Sequence, residues 1–133
     1  ICHSTGKTYS SFRTNTIKQR PFKIIKIGLR AERDVLYSRI NQRVLKMVEQ
    51  GLIDEARRMY PYRNLNALNT VGYKELFEHF DGHTTLDEAI YKIQSNTRRY
   101  CRKQLTWYKK DETVKWFSPQ NVKEIINYIE SIR

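Results

Sequence analysis

Two short runs of β-branched and apolar residues, 22–29 (FKIIKIGL) and 114–117 (VKWF), stand far apart in this chain, and nearly everything between them is patterned for helices. Strands joined by a tight turn pair antiparallel, whereas strands separated by helices need a crossover and pair in parallel. The first run follows Pro21 and carries Ile24, Ile25, Ile27 and Leu29, the pattern of a strand buried in a parallel sheet. The expected class is α/β, predominantly helical, with few parallel strands. Two strands make a poor sheet by themselves, since three or more are normally needed for independent stability. The sheet is therefore expected to be incomplete within this chain.

The helices are read from spacing and caps. Glu32 to Gln50 has Leu36, Ile40, Val44, Met47 and Val48 at helical intervals, and Gly51 suits the position just past its end. A short helix is expected over 53–60, closed by Pro61, then a loop over 62–69. Another helix, 73–80, is expected to stop at Asp81-Gly82. Thr85 with Glu88 three residues later forms a capping box that opens a long helix reaching about Lys110, with Leu86, Ala89, Ile90, Ile93 and Leu105 on its buried side. Val122 to Ile132 reads as a last amphipathic helix. Residues 1–20 are polar and read as the tail of an upstream helical region plus a connector, and residues 21–133 as core strands and helices. The chain begins with Ile1 rather than Met, and no signal-like segment follows, so a processing or cleavage boundary is expected there.

The 133 residues suffice for one domain, and their formal net charge of +11 points to a polyanionic partner. Cys2 and Cys101 form neither a disulfide framework nor a paired-cysteine zinc site, which favours a reducing, cytoplasmic setting. His79 and His83 have the spacing of helical metal ligands, but the helix end at Asp81-Gly82 breaks that geometry, and no metal site is expected. No apolar run is long enough to span a membrane.

Four motifs could carry chemistry. Ser4-Thr5-Gly6-Lys7-Thr8 ends like a phosphate loop, but Ile1 stands where that pattern needs its first glycine, and a polar turn is the better reading. From Ala89 to Lys110 there is no acidic residue, while Arg98, Arg99, Arg102, Lys103, Lys109 and Lys110 are all present. Arg98 with Arg102, and Arg99 with Lys103, share faces at four-residue spacing, a repulsion that an opposing anion would relieve. Tyr100, Trp107 and Tyr108 interleave with these bases, and Gln104 and Thr106 can hydrogen-bond phosphate or base edges. The plain alternative is a solvated basic face whose aromatic residues turn into the core. Asn69 to Lys74 (NTVGYK) is a turn entering a helix, with Thr70 the candidate cap and Gly72 open to close approach. Arg39 and Arg43, one turn apart, could clamp a diphosphate or simply face solvent.

Taken in order, Leu36–Val44 (LYSRINQRV), Met47–Leu52, Asn69–Leu76 (NTVGYKEL) and Asn96–Lys109 (NTRRYCRKQLTWYK) resemble the C-terminal half of tRNA dimethylallyltransferases of bacterial type. The likeness covers nearly the whole chain. It implies an incomplete P-loop NTPase/kinase-like core whose phosphate loop, catalytic threonine and general-base aspartate lie upstream of these residues. It also implies transfer of a dimethylallyl group from dimethylallyl diphosphate to N6 of adenosine 37, with magnesium assisting diphosphate binding mainly through that upstream part. The implied partner is a tRNA anticodon stem-loop, bound by a monomer. By position, Asn69, Thr70, Val71, Gly72, Tyr73 and Lys74 match one tRNA-contact turn. Arg102, Lys103, Gln104, Leu105, Thr106, Trp107, Tyr108 and Lys109 match a second stretch, with Arg98 beside it. Arg43, with Arg39 as its partner, matches the arginine expected to face the diphosphate. The rival readings are a stand-alone basic helical RNA-binding module and a piece of a P-loop nucleotide kinase.

Overall fold

The computed structural model describes residues 2–12 and 19–132. The described chain is mostly helical, with one two-stranded parallel sheet. After a four-residue helix α1 (Cys2–Thr5) come strand β1 (Lys26–Leu29), α2 (Arg33–Glu49), α3 (Leu52–Met59), α4 (Tyr73–Phe80), the long α5 (Leu86–Tyr108), β2 (Val114–Phe117) and α6 (Val122–Ile132). Single 3-10 turns at Tyr60–Tyr62 and Asn66–Leu68 fill the expected loop between α3 and α4.

The caps follow the residues that specify them. Thr85 accepts the Glu88 N–H at 3.2 Å, and the Glu88 carboxylate accepts the Thr85 N–H at 2.9 Å, so two orphan donors of α5 are satisfied reciprocally. Gly51, at φ 102°, turns the chain between α2 and α3 in a conformation that a Cβ would strain. In the Ser4–Thr8 stretch α1 ends at Thr5 and Gly6 turns the chain at φ 65°.

The core lies among α2, α3, α4 and the first half of α5. Val44, Leu52, Ala56, Leu76, Phe77, Ala89 and Ile93 are buried together, with Met47, Val48, Leu86 and Ile90 packed against them. Aromatic edges close one side: Tyr60 meets Phe77 and Phe80 edge-on at 5.7 and 5.6 Å, and the Arg57 guanidinium lies 4.8 Å from the Phe80 ring centre.

β1 and β2 pair in register Lys26↔Val114 through Leu29↔Phe117, and the Arg30 N–H extends the ladder to the Phe117 carbonyl. A Cβ on Gly28 would stand 2.6 to 2.9 Å from the Trp116 ring atoms, so glycine here makes room for the cross-strand indole. The sheet is tied at its corners. Lys26 pairs with Asp111 at 2.6 Å, Lys23 donates to the Ile132 carbonyl at 3.0 Å, and Phe117 touches Tyr128 of α6.

One expectation is corrected. The first strand spans four residues rather than eight, and it is not buried: Phe22, Ile24 and Leu29 are each more than half exposed. An apolar run states what a strand would bury, but burial requires a covering element, and among the described residues β1 has a single neighbouring strand.

Candidate nucleic-acid interface

The second half of α5 extends past the core and carries the basic residues. A straight helix advances 100° per residue, so positions 99, 102, 103, 106 and 107 return to one side, and Lys110 joins them from the turn that follows. Arg99, Arg102, Lys103, Thr106, Trp107 and Lys110 accordingly line a shallow concavity of about 320 Å³. No acid lines it. The aromatic residues did not turn inward: Trp107 is 72% exposed and Tyr100 is 64% exposed, which rules out the reading of a basic face with its rings in the core. A flat indole beside four cations offers stacking and charge neutralisation in one place. The Thr106 hydroxyl donates to the Arg102 carbonyl at 2.9 Å and keeps its lone pairs for a donor from outside.

The structure divides the predicted 102–109 stretch. Arg102, Lys103, Thr106 and Trp107 share the concavity. Leu105 and Lys109 line only a second groove of about 210 Å³ towards α2, with Arg30, Arg33, Leu36 and Tyr37, and Arg102 and Thr106 border both. Gln104 and Tyr108 are exposed and line neither groove. Arg98 is half-buried: its guanidinium donates to Asn41 Oδ1 at 2.5 Å and approaches the Tyr91 ring, so it braces α5 against α2. Arg99 and Lys110 were named as bases of the run but not among the contact residues. Helical periodicity applied to the whole acid-free segment would have found both.

The turn at 69–74 is built differently from its sequence reading. Thr70 does not cap α4. Gly72 holds the cap position at φ 109°, and Thr70 contributes only its carbonyl, which accepts the Lys74 N–H at 3.2 Å. The missing side-chain cap is replaced from inside the helix, where Glu75 Oε2 accepts the Gly72 N–H at 2.7 Å. A Cβ on Gly72 would meet nothing within 4 Å, so the left-handed backbone, not crowding, requires glycine. Tyr73 is fixed twice: its ring stacks on Phe77 and its hydroxyl donates to the Glu55 carboxylate, a bond that raises the phenol pKa above its ordinary value. Asn69, Val71 and Lys74 are left exposed. Asn69 and Lys74, but not Val71, line a depression of about 380 Å³ together with Arg63, Asn64, Asn66, Glu78 and Asp81.

A third depression, about 220 Å³, lies where both strands end: Arg30, Ala31 and Glu32 follow β1, Ser118, Pro119 and Gln120 follow β2, and Val35 and Arg39 lean in from α2. Ligands of parallel sheets bind beyond the carboxyl ends of the strands. Arg39 therefore stands at the expected place for a bound anion, whereas exposed Arg43, one turn along α2, does not line it. Neither arginine has an ion-pair partner among the described residues.

His79 and His83 are separated by the end of α4, and His79 Nδ1 lies 2.8 Å from the Thr84 carbonyl. No group of three His, Cys, Asp or Glu side chains that could hold a metal occurs among the described residues. At the strand ends Glu32 stands alone between arginines, so the residues present do not fit a magnesium ion. Among the described residues no helix is long and apolar enough to cross a membrane.

The IPP transferase family model matches residues 1–111. The tRNA dimethylallyltransferase 1 of Phocaeicola vulgatus is 58% identical over 132 residues, which are 99% of this chain and 44% of that protein. The tRNA dimethylallyltransferase of Christiangramia forsetii is 55% identical over a similar span. Among solved structures, the full-length tRNA isopentenylpyrophosphate transferase of Bacillus halodurans superposes with a TM-score of 0.78 at 44% identity, covering 84% of this chain and 39% of that one. The tRNA delta(2)-isopentenylpyrophosphate transferase of Staphylococcus epidermidis gives 0.75 at 27% identity, covering 99% of this chain and 46% of that one. The chain thus spans less than half the length of the relatives it matches. With the family model matching most of the chain, from residue 1 to residue 111, the chain belongs to the IPP transferase family.

Proposed function

We propose that this chain is the tRNA-gripping part of a cytoplasmic dimethylallyltransferase that modifies N6 of adenosine 37. The observation that carries the reading is the acid-free concavity on α5, where Arg99, Arg102, Lys103 and Lys110 surround an exposed Trp107. Such a surface suits an unstacked RNA loop better than a small nucleotide, because it offers several phosphate contacts and a stacking plane along one helix. The names of the relatives, tRNA dimethylallyltransferases, agree with that substrate.

In this reading the anticodon stem-loop lies along α5 and against Asn69, Val71 and Lys74. The adenine N6 lone pair forms a bond to the allyl carbon of dimethylallyl diphosphate while the carbon–oxygen bond breaks and its electron pair leaves with the diphosphate. Arg39, at the carboxyl ends of the strands, meets the charge that develops on that leaving group, with Arg43 behind it. Removing the N6 proton falls to groups outside this chain, as does any magnesium. β1 and β2 are two strands of a larger parallel sheet, the P-loop kinase-like core. The exposed Phe22, Ile24 and Leu29 support this, since they would be covered when the sheet is continued.

The test is binding of a fluorescent anticodon stem-loop with three consecutive adenosines by the full-length enzyme, followed by turnover. Arg39→Ala is expected to lower kcat by about a hundredfold, the order seen when a transition-state charge contact is lost, with RNA affinity near normal. Loss of RNA affinity with kcat intact would reassign Arg39 to the RNA. A wild-type enzyme indifferent to the stem-loop would overturn the proposed function.

A further inference from the structure

The 69–74 turn and the basic half of α5 come from different parts of the chain, yet one buried group joins them. Glu75 is 1% exposed, the buried charged side chain among the described residues. It has no cationic partner there. Instead its two oxygens reach in two directions: Oε2 accepts the Gly72 N–H at 2.7 Å, and Oε1 accepts Asn96 Nδ2 of α5 at 2.6 Å. Gly72 is the apex of the turn, and Asn96 lies one helical turn before Arg99 and Tyr100. Leu76 of α4 and Ala89 and Ile93 of α5 belong to the buried core that joins the two helices. Satisfying the Gly72 N–H at the start of α4 needs only the first bond. The other polar tie between α4 and α5, Lys92 to Glu78, is exposed and lies farther from the basic face.

We propose that Glu75 is a positioning residue: by holding Gly72 N–H with one oxygen and Asn96 with the other, it fixes the 69–74 turn in register with the basic half of α5, so that both segments grip one RNA at once. The inference rests on the tRNA-binding function proposed above. Glu75 does not touch RNA. Its effect is to remove the relative motion that the RNA would otherwise have to arrest on binding, so the affinity gained from two linked contact segments is retained.

Donor–acceptor exchange in the full-length enzyme tests this. Asn96→Asp takes away the donor and sets two carboxyl groups against each other. Glu75→Gln combined with Asn96→Asp restores complementarity with the polarity reversed. The amide oxygen introduced on α4 still accepts from Gly72, while its NH2 donates to the carboxylate introduced on α5. The single variant is expected to raise KM for tRNA about tenfold or more, the order for losing a hydrogen bond to a charged group, with kcat and KM for dimethylallyl diphosphate within about twofold of wild type. The double variant is expected to bring KM for tRNA back to within about threefold of wild type. Where Asn96→Asp does not fold, Asn96→Ala is read in its place. A lower Tm with KM for tRNA unchanged overturns the proposal, since Glu75 would then be structural alone. A raised KM that the exchange fails to restore also overturns it, because Asn96 would be acting by some other route. A wild-type enzyme that does not bind the stem-loop would overturn both this inference and the function beneath it, and is distinguished by needing no variant.

Discussion

Replacing Arg102 and Lys103 together by alanine separates a nucleic-acid face from a merely solvated one. Both residues are exposed, line the same concavity and lack ion-pair partners among the described residues. Their removal should therefore cost the fold nothing and even relieve the four-residue repulsions with Arg98 and Arg99, each about 0.2–0.5 kcal/mol. If both contact phosphate, the slope of log K against log salt should become shallower by about 1.4 to 1.8, using about 0.7 to 0.9 per neutralised phosphate. Between about 50 and 200 mM salt the wild-type affinity then falls about 7- to 12-fold further than that of the variant. All four cations of the concavity together would contribute about 50- to 150-fold over the same range. Fluorescence anisotropy of a labelled stem-loop, titrated at several salt concentrations, reads the slope directly, and circular dichroism verifies that α5 is intact. An unchanged slope with an intact helix would mean that these residues face solvent and that the polyanion binds elsewhere.

Three further outcomes follow from the packing. Leu76→Ala, at a fully buried position in the core, should destabilise the protein by about 2–5 kcal/mol in urea unfolding; a loss under about 1 kcal/mol would place the core elsewhere. Gly28→Ala drives a methyl group into the Trp116 ring and should cost about 1–3 kcal/mol, a loss that Gly28→Ala with Trp116→Leu recovers in part; equal stability of wild type and single variant would refute that close approach. The Lys26 ammonium, then the Thr113 hydroxyl and N–H, hold the Asp111 carboxyl at about 2, below its ordinary 3.8. The folded pKa is the lower one, so this tie is fully present above about pH 4 and is lost as pH falls through about 2. An NMR titration of the Asp111 carboxyl carbon with a midpoint near the ordinary value would contradict the tie.

How much of this was legible depended on whether the cause was local. The Thr85–Glu88 capping box, the stop at Asp81-Gly82 and the left-handed Gly51 are each decided within a few residues, and the helices fall within a residue or two of their expected bounds. Parallel pairing was legible because helices separate the strands. Burial of the first strand was not, because Ile24 and Leu29 carry no record of whether another strand covers them. Arg98 and Arg102 look alike on a helical wheel, only about 40° apart, yet Asn41 of α2 engages one and leaves the other free. Thr70 looked like the cap because hydroxyl residues favour that position, but a glycine capped from within by Glu75 cannot be told from a generic turn. The depression at the strand ends joins residues 30–39 to 118–120, and no local pattern connects them.

α5 performs two tasks that would conflict on a shorter helix. Its first half is held by burial of Ala89 and Ile93 beneath α2 and α4. Its second half has few apolar contacts and repels itself, and helix ends under such conditions tend to fray. The far end is held instead by the turn that follows: Asp111 N–H donates to the Tyr108 carbonyl at 3.1 Å, the Asp111 carboxylate takes Lys26 from β1 and Thr113 from the turn, and the Asp111 carbonyl accepts the Val114 N–H at 3.2 Å. The basic half is thus a span fixed at both ends, to the helical core at one and to the sheet at the other. Charge on the exposed face can then vary with little effect on the fold, while cutting the anchor at Asp111 should loosen the grip without touching a single cation. On this reasoning Asp111→Asn lowers RNA affinity with the salt slope unchanged, whereas Arg102→Ala with Lys103→Ala lowers both.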